Sequence, residues 1–357
     1  MKIIIIDLVP GLLLCFCIKD IKQIRKILYI IYGSICIAGI YGIFSYIIKL
    51  NPYIVTMSII YDAPVDYTGI LEEVRGAIQG RTQGTLSHPL VWGQIINVLS
   101  LFLLIIRKKI KKKIFISIYI ILFLNIVLCG SRSILLSNLI ALLLIYIKLP
   151  TKKIITYTSI GIIGTLIIFN IAKQNDNLKL YVATIEASIF FWNQEKSEEI
   201  EIKGSSVNLR EKQLIESFNL IQNDFFTGLG QGWIDNYFSK NEKHPIMLGF
   251  ESIIFRRLVE NGVLGLIIWF FFYSQLYKRT LLYTKKSGID IKIIFIPYLV
   301  SLMMTDSFES FYLFLCLMVI LCQYIYLKKS EIRKPIKCVQ NKPINNTSQT
   351  TSYIYNI

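Results

Sequence analysis

Histidine is scarce in this chain, and cysteine is missing from its long polar segments. Among 357 residues there are two histidines and seven cysteines. Six of the cysteines lie in or at the end of an apolar segment, and Cys338 lies in a basic tail. The sequence therefore offers no disulfide framework, no Cys-x-x-Cys zinc site and no cluster of metal ligands. Phosphate-binding and dinucleotide-binding glycine loops are also absent, which argues against an ATP-driven pump.

Charge is sparse as well, and apolar residues take its place. Charged residues make up 17% of the chain and hydrophobic residues 54%, with a mean hydropathy of +0.54. The apolar residues are grouped in blocks of about 17–25, the length that crosses a bilayer as a helix. These blocks are apolar around their whole circumference, which excludes the one-sided helices of a soluble core.

The blocks predict an all-α, polytopic integral membrane protein with about nine transmembrane helices and one large extracytoplasmic loop. The expected spans are 1–18, 27–48, 89–106, 114–129, 134–149, 154–171, 252–277, 293–305 and 310–327. We expect a membrane-embedded domain over 1–327, which includes the loop 172–250. The basic and polar segment 328–357 is expected to be a disordered cytoplasmic tail.

The distribution of Lys and Arg predicts the orientation. Alternate short loops and the start of the tail hold 24 of the 39 basic residues, whereas the loop 172–250 holds eight basic and eleven acidic residues. Positively charged loops stay in the cytoplasm, so the long loop is expected outside. The net charge of +16 thus has a membrane explanation and does not indicate nucleic acid. We expect a multi-pass membrane protein.

Within the long loop, residues 208–226 show apolar residues at helical spacing. The predicted apolar stripe consists of Leu214, Phe218, Ile221 and Phe225. A Gly-rich turn, TGLGQGW at 227–233, follows and is expected to end the helix.

Polar residues on the expected outer face form three clusters that could carry chemistry. The first is GRTQGTLSHP at 80–89, and the second is the hairpin GSRS at 130–133. The third comprises the long loop and the start of the span after it. The candidates are Arg81, His88, Arg132, Arg210, Glu211, Gly228, Gly230, Gly232, His244, Glu251 and Arg256. Arginine suits a diphosphate because its planar fork binds two oxygens, and a carboxylate nearby could act as a general base.

Each cluster also has a structural interpretation. Arg132 could anchor the chain at lipid headgroups, and the charged residues of 208–226 could be a solvated helix face. The glycine turn could be only a helix stop, and His244 an ordinary loop residue. Glu251, Arg256, Arg257 and Glu260 are harder to explain in this way, since ionisable groups beside a span are costly unless they have a partner or a function.

The order of these motifs, from about residue 75 to 327, resembles the bacterial O-antigen polymerase and O-antigen ligase superfamily. The segment 223–230 resembles the Asp, Pro and Gly pattern of that family, with Phe226 in place of Pro. Ligases carry a His, then Asn, Ser or Gln, then nine residues and Gly-x-x-Gly. Here Glu251 and Ser252 keep that spacing to Gly262, with Glu in place of His, which favours a polymerase over a ligase.

The resemblance implies a metal-independent membrane glycosyltransferase, without a cofactor, that acts on glycans linked to undecaprenyl diphosphate. Arg132 and Arg210 would hold the donor diphosphate, with Arg81 as a further candidate, and Glu251 would deprotonate the acceptor hydroxyl. The glycines would let the loop approach the glycan. The lipid bilayer is an implied partner, and a chain-length regulator and a flippase are candidate partner proteins. The alternatives are an O-antigen ligase and a non-enzymatic transporter of lipid-linked oligosaccharides.

Overall fold

The computed structural model describes residues 9–61, 74–75, 78–86, 88–151, 207–240, 252–285, 287–305 and 310–333. This part of the chain is almost entirely helical, and its only strands are a two-residue antiparallel pair, β1 (Val74–Arg75) and β2 (Ile78–Gln79). The helices are α1 (Val9–Cys17), α2 (Ile21–Ile47), α3 (Pro52–Tyr61), α4 (Pro89–Ile106), α5 (Lys112–Leu128), α6 (Arg132–Tyr146), α7 (Val207–Leu220), α8 (Trp233–Lys240), α9 (Ile253–Thr284), α10 (Lys292–Met304) and α11 (Phe311–Arg333).

Every predicted span that falls on described residues coincides with a helix, which confirms the helical class. Three helical segments are long and apolar enough to cross a membrane, namely Ile21–Ile47, Pro89–Lys109 and Phe311–Ser330. Arg132–Tyr146 and Lys292–Met304 are shorter apolar helices. The predicted span 154–171 lies outside the described residues. A count of nine spans therefore remains a prediction, as do the domain boundaries.

The helix α4 lies at the centre of the bundle. It contacts α5, α6, α10 and α11, and its side chains are buried on every face along most of its length. Its sequence, PLVWGQIINVLSLFLLII, has no charged residue, and His88 caps its start by accepting a hydrogen bond from the Leu90 amide. A helix that has no charge and is surrounded by protein on every side is the expected core of a membrane bundle.

A buried polar ladder runs along one face of α4. Gln94, Asn97 and Ser100 follow one another at intervals of three residues, and each is fully buried. They bond to α6, where Ser100 Oγ lies 2.7 Å from Asn138 Oδ1, and to α10, where Gln94 Nε2 lies 2.7 Å from Thr305 Oγ1 just past the helix end. Such bonds hold helices together in an apolar surrounding, where hydrophobic packing gives little preference for one partner.

Contacts between helix ends fall into the two groups that the charge count predicted. Lys148, at the end of α6, pairs with Asp290, just before α10, and both segments belong to the predicted inner set. At the opposite ends, Gln94 reaches Thr305, and Asn51 Nδ2 donates to the Gly84 carbonyl at 2.8 Å. The candidate residues of the predicted outer set that the structure describes thus lie at one end of the bundle, while the compartment that this end faces remains a prediction.

Candidate functional site

The segment that contains Arg81 packs between α2 and the turn that joins α5 to α6. Arg81 is fully buried, and its Nε donates to the Cys129 carbonyl at 2.8 Å. The Thr82 amide donates to the Leu128 carbonyl at 2.9 Å, and the Thr82 hydroxyl donates to the Gly42 carbonyl of α2. A cation at the last carbonyls of a helix satisfies groups that have no partner within the helix and complements its dipole. Arg81 therefore holds the C-terminus of α5 and with it the GSRS hairpin.

The hairpin presents Arg132 at the start of α6. Gly130 turns the chain with a φ of 67°, and a Cβ there would lie 3.3 Å from Arg81 Cγ. Ser131 and Ser133 are buried with their hydroxyls 3.0 Å apart, whereas Arg132 between them is exposed. Two of the predicted clusters thus meet. Arg81 lies beneath the hairpin, and Arg132 lies on its surface at a helix N-terminus, a place that favours anions.

Arg210 lies on α7 and reaches the end of α10. It is half-buried, and its Nη2 lies 3.4 Å from the Met304 carbonyl. Met304 precedes Thr305, which accepts the hydrogen bond from Gln94 of the polar ladder. Because α10 also packs along α6, the helix that Arg132 begins, α10 links the elements that carry the two arginines.

The Gly-rich turn docks into a break in α9. At Gly262 the helix is interrupted, with φ 65° and ψ −168°. The amides of Leu229 and Gly230 donate to the carbonyls of Val259 and Glu260, at 2.8 and 2.9 Å. In return, the amides of Val263 and Leu264 donate to the carbonyls of Phe225 and Phe226, at 3.1 and 3.2 Å. The loop therefore bonds to the four backbone groups that an unbroken helix would pair with each other.

This docking requires glycine on both sides. A Cβ on Gly228 would lie 2.4 Å from the Gly262 amide nitrogen, and a Cβ on Gly262 would lie 2.4 Å from the Phe226 carbonyl oxygen. Gly230 and Gly232 also have positive φ, but a Cβ on either would meet nothing within 4 Å. The close approach at Gly228 is thus to α9, whereas Gly230 and Gly232 lie on the open side of the turn.

Glu260 is the buried carboxylate of this region. Its side chain is fully buried and accepts hydrogen bonds from Gln231 Nε2 at 3.0 Å and from the Gly232 amide at 3.2 Å. Arg256 Nε lies 3.5 Å from one carboxylate oxygen and Arg257 Nη1 lies 3.8 Å from the other. The carboxylate thereby joins the glycine turn to both arginines, and a buried charge of this kind needs such partners.

The remaining sequence-predicted residues are distributed as follows. Arg256 is engaged in ion pairs, since its Nη2 also lies 2.7 Å from Asp235 Oδ1. His88 caps α4, and Glu211 is exposed on α7. Glu251 and His244 lie outside the described residues, so their roles remain predictions. Among the described residues, no group of three or more His, Cys, Asp and Glu side chains is arranged as a metal site.

One expectation about 208–226, the extent of the helix, was wrong. The helix α7 ends at Leu220, and turns occupy 221–227, so the helix stops before the glycines. Of the predicted apolar stripe, only Ile221 is buried, and α7 faces the protein with Gln213 and Ser217 instead. The reason is that apolar periodicity marks a helix face without saying whether protein or another apolar medium covers it.

Sequence reasoning also left Gln83 and the role of Gly262 unassigned. Gln83 is buried, yet neither its amide nitrogen nor its amide oxygen has a hydrogen-bond partner in the structure. The position of Gly262, separated from Ser252 by nine residues, was noted only as part of a family pattern. Gly262 lies two residues after Glu260, near a predicted span. This pattern does not by itself indicate that another loop enters the helix there.

Together these features give this end of the bundle a hydrogen-bonded frame and exposed cationic positions. Arg81, Glu260 and Arg256 are tied into the frame by buried bonds. Arg132 is exposed and Arg210 half-buried, so these two guanidinium groups are better placed to meet an anionic ligand. A bidentate contact to phosphate oxygens is the chemistry that such side chains supply best.

Comparison with known proteins agrees with the resemblance. Residues 117–270 match the family model described as O-antigen ligase, a stretch that includes the hairpin, α7, the glycine turn and the break in α9. Among curated proteins and solved structures, none matches the chain. The match to the O-antigen ligase family model at residues 117–270 is thus consistent with the resemblance to the O-antigen polymerase and ligase superfamily.

Proposed function

We propose that this protein is a polysaccharide polymerase. It joins oligosaccharide repeat units of an O-antigen or capsular polysaccharide, each linked to undecaprenyl diphosphate, on the outer face of the bacterial cytoplasmic membrane. The O-antigen ligase family match supports a role in polysaccharide assembly. The gathering of Arg132 and Arg210 around α10, at one end of the bundle, is the observation that carries the finer proposal.

In the proposed reaction, a hydroxyl of the acceptor glycan attacks the anomeric carbon of the donor. Glu251 takes the hydroxyl proton, the new glycosidic C–O bond forms, and the bond from carbon to the diphosphate oxygen breaks. Undecaprenyl diphosphate leaves with the electron pair, and Arg132 and Arg210 offset the charge that builds on it. A single displacement of this kind inverts the anomeric carbon.

In this proposal, some residues contact the donor, and others hold those residues in position. Arg81 holds the hairpin through the Cys129 carbonyl and so positions Arg132. Glu260 fixes the glycine turn, whose open side carries Gly230 and Gly232. We assign the glycan to this open side, where a Cβ would meet no protein atom and a sugar could approach the backbone.

The second candidate, an O-antigen ligase, is favoured by the description of the matched family. The Glu at position 251, where ligases carry His, favours the polymerase. The product ladder of a deletion strain separates the two. A single repeat unit on the lipid core indicates a polymerase, and a core without polymer indicates a ligase. An unchanged ladder would refute both.

The role of Arg210 is tested by Arg210→Lys and Arg210→Ala with a purified lipid-linked repeat unit. Polymer formed per membrane-resident protein should fall sharply with Lys, which keeps the charge but loses the fork, and further with Ala. Lys212→Ala is the matched control, because Lys212 is an exposed cation on the same helix. Polymerisation by Arg210→Ala at the wild-type level would refute the diphosphate role.

The orientation is tested by a membrane-impermeant thiol reagent on intact spheroplasts. A cysteine at Ser205 should react and one at Lys111 should not, measured against the parent chain with its native cysteines. The reverse labelling pattern would place every proposed site residue in the wrong compartment and refute the mechanism.

A further inference from the structure

Different sides of the helix α7 have different surroundings, one packed against protein and others exposed. Gln213, Ser217 and Ile221 follow at intervals of four residues and are buried against the protein. Lys212 and Asn219 lie on another side and are exposed and polar. Side chains four or seven residues apart share one face of a helix, so these two sets mark a protein side and a polar side.

Between these sides lies an exposed apolar surface. It consists of Leu214, Ile215 and Phe218 on α7, together with Phe225 and Phe226 after it. Ile215 is 54% exposed and Phe226 is 63% exposed. The aromatic rings contact one another, with 6.3 Å between the centroids of Phe218 and Phe225 and 5.4 Å between those of Phe225 and Phe226. A contiguous exposed patch of large apolar side chains marks a surface that some apolar partner covers.

The patch, defined by these five residues, continues onto α9. The Phe226 carbonyl accepts the hydrogen bond from the Leu264 amide, so the patch adjoins α9 directly. From Leu264 onward, α9 exposes Ile267, Ile268 and Phe271, which share one helix face. This stripe belongs to the predicted span 252–277, whose exposed apolar side chains are expected to meet the hydrocarbon of the bilayer.

We propose that α7 and the two phenylalanines after it lie in the interface of the membrane, with the patch inserted among the lipids. The occupant of the patch is the bilayer itself, because the patch is continuous with the apolar stripe of α9. Helices with an apolar face, a charged or polar face and low net hydrophobicity bind in this way at the boundary between headgroups and acyl chains. The polar side of α7 carries Lys212 and Asn219.

This placement sets the depth of Arg210. Arg210 lies on α7 and reaches the Met304 carbonyl at 3.4 Å, so a helix held at the interface holds that guanidinium near the phosphates of the headgroups. The inference does not depend on the polymerase proposal, since it concerns only where α7 lies. It does explain why an arginine on this helix could meet a lipid-linked diphosphate.

The experiment uses tryptophan fluorescence of the full-length protein in nanodiscs that contain phospholipid brominated on the acyl chains close to the headgroup. Phe218→Trp should lose most of its added emission to the bromines. Asn219→Trp, one residue along and on the polar side, should keep its emission in brominated lipid and be quenched by iodide in the buffer. Each variant is compared with the parent protein, which carries four tryptophans. Leu214→Trp serves as a second reporter if Phe218→Trp does not fold.

Equal and weak quenching of both reporters by brominated lipid would overturn the proposal. Two other occupants would overturn it in recognisable ways. A Phe218→Trp emission that shifts to shorter wavelength only when undecaprenyl phosphate is added would mean that the patch binds a polyprenyl chain. A shift that occurs only with two copies in each disc would mean that a second copy covers it.

Discussion

Replacing Gly262 by Ala should release the glycine turn without unfolding α9. Ala would have to adopt φ 65° with ψ −168°, a conformation essentially confined to glycine that costs about 1–3 kcal/mol, and its Cβ would lie 2.4 Å from the Phe226 carbonyl oxygen. The loop can leave at modest cost, because the amides of Val263 and Leu264 can then pair with the carbonyls of Val259 and Glu260 in ordinary helical bonds. Ala also favours a continuous helix by about 1 kcal/mol relative to Gly.

The size of the effect follows from the hydrogen bonds. Four backbone bonds join the turn to α9, and two helical bonds replace them when the turn leaves. The net loss is therefore worth about 1–3 kcal/mol, at about 0.5–1.5 kcal/mol for each bond. Strain of about 1–3 kcal/mol offsets this preference, so local opening should become about 5- to 150-fold more frequent, at a factor of ten for about 1.4 kcal/mol.

Hydrogen exchange measured by mass spectrometry tests this asymmetry. Peptides that cover Leu229 and Gly230 should exchange faster in Gly262→Ala, whereas peptides that cover Val263 and Leu264 should remain protected. Gly288→Ala is the control, because it imposes a similar φ of 68° outside the turn, where a Cβ would meet nothing within 4 Å, so Leu229 should stay protected. Unchanged exchange at the turn would refute the docking argument. Faster exchange in both peptides would mean that α9 unfolds rather than closes.

Two further substitutions have matched controls. Glu260→Gln removes a fully buried charge from between two arginines and should destabilise the protein by about 3–5 kcal/mol. Asp235→Asn is its control, because this side chain is 71% exposed and its loss should cost about 1 kcal/mol or less. Thermal unfolding in detergent measures both, and equal losses would contradict the assigned burial. Gln83→Met should leave the stability of the protein unchanged or raise it, since the buried amide of Gln83 has no hydrogen-bond partner in the structure. Gln94→Met should lower the stability by about 1–3 kcal/mol, because it breaks the polar ladder. A loss of stability in Gln83→Met equal to that in Gln94→Met would contradict the unpaired state of Gln83.

The helices of the bundle could be predicted closely because the signals for them are local. The span 89–106 coincides with α4, whose sequence carries an uncharged apolar run with His88 and Pro89 at its start. Apolar length and capping residues act within one segment, so a sequence reveals them. The gathering of the outer ends also followed from alternation of charged loops.

The candidate site could be predicted only in part, because its frame depends on distant contacts. Arg81 was assigned to the donor on its charge alone, and its contact with the Cys129 carbonyl links residues 48 positions apart. The break at Gly262 depends on a loop that precedes it by more than thirty residues, and the burial of Glu260 depends on the same loop. No periodicity within α9 records these contacts, since the partners come from another part of the chain.

The polar ladder connects the interior of the bundle to the surface at which the proposed chemistry occurs. Apolar helices can slide past one another with little change in packing, but a shift of one turn, about 5.4 Å, would separate Gln94 from Thr305 and Ser100 from Asn138. Amides left unpaired in an apolar interior are costly, so the ladder fixes the height of α10 relative to α4 and α6. Since Arg210 binds the carbonyl that precedes Thr305, the ladder also fixes the height of this arginine relative to the hairpin that carries Arg132. Residues that never meet the substrate thereby set the spacing of those that would hold it.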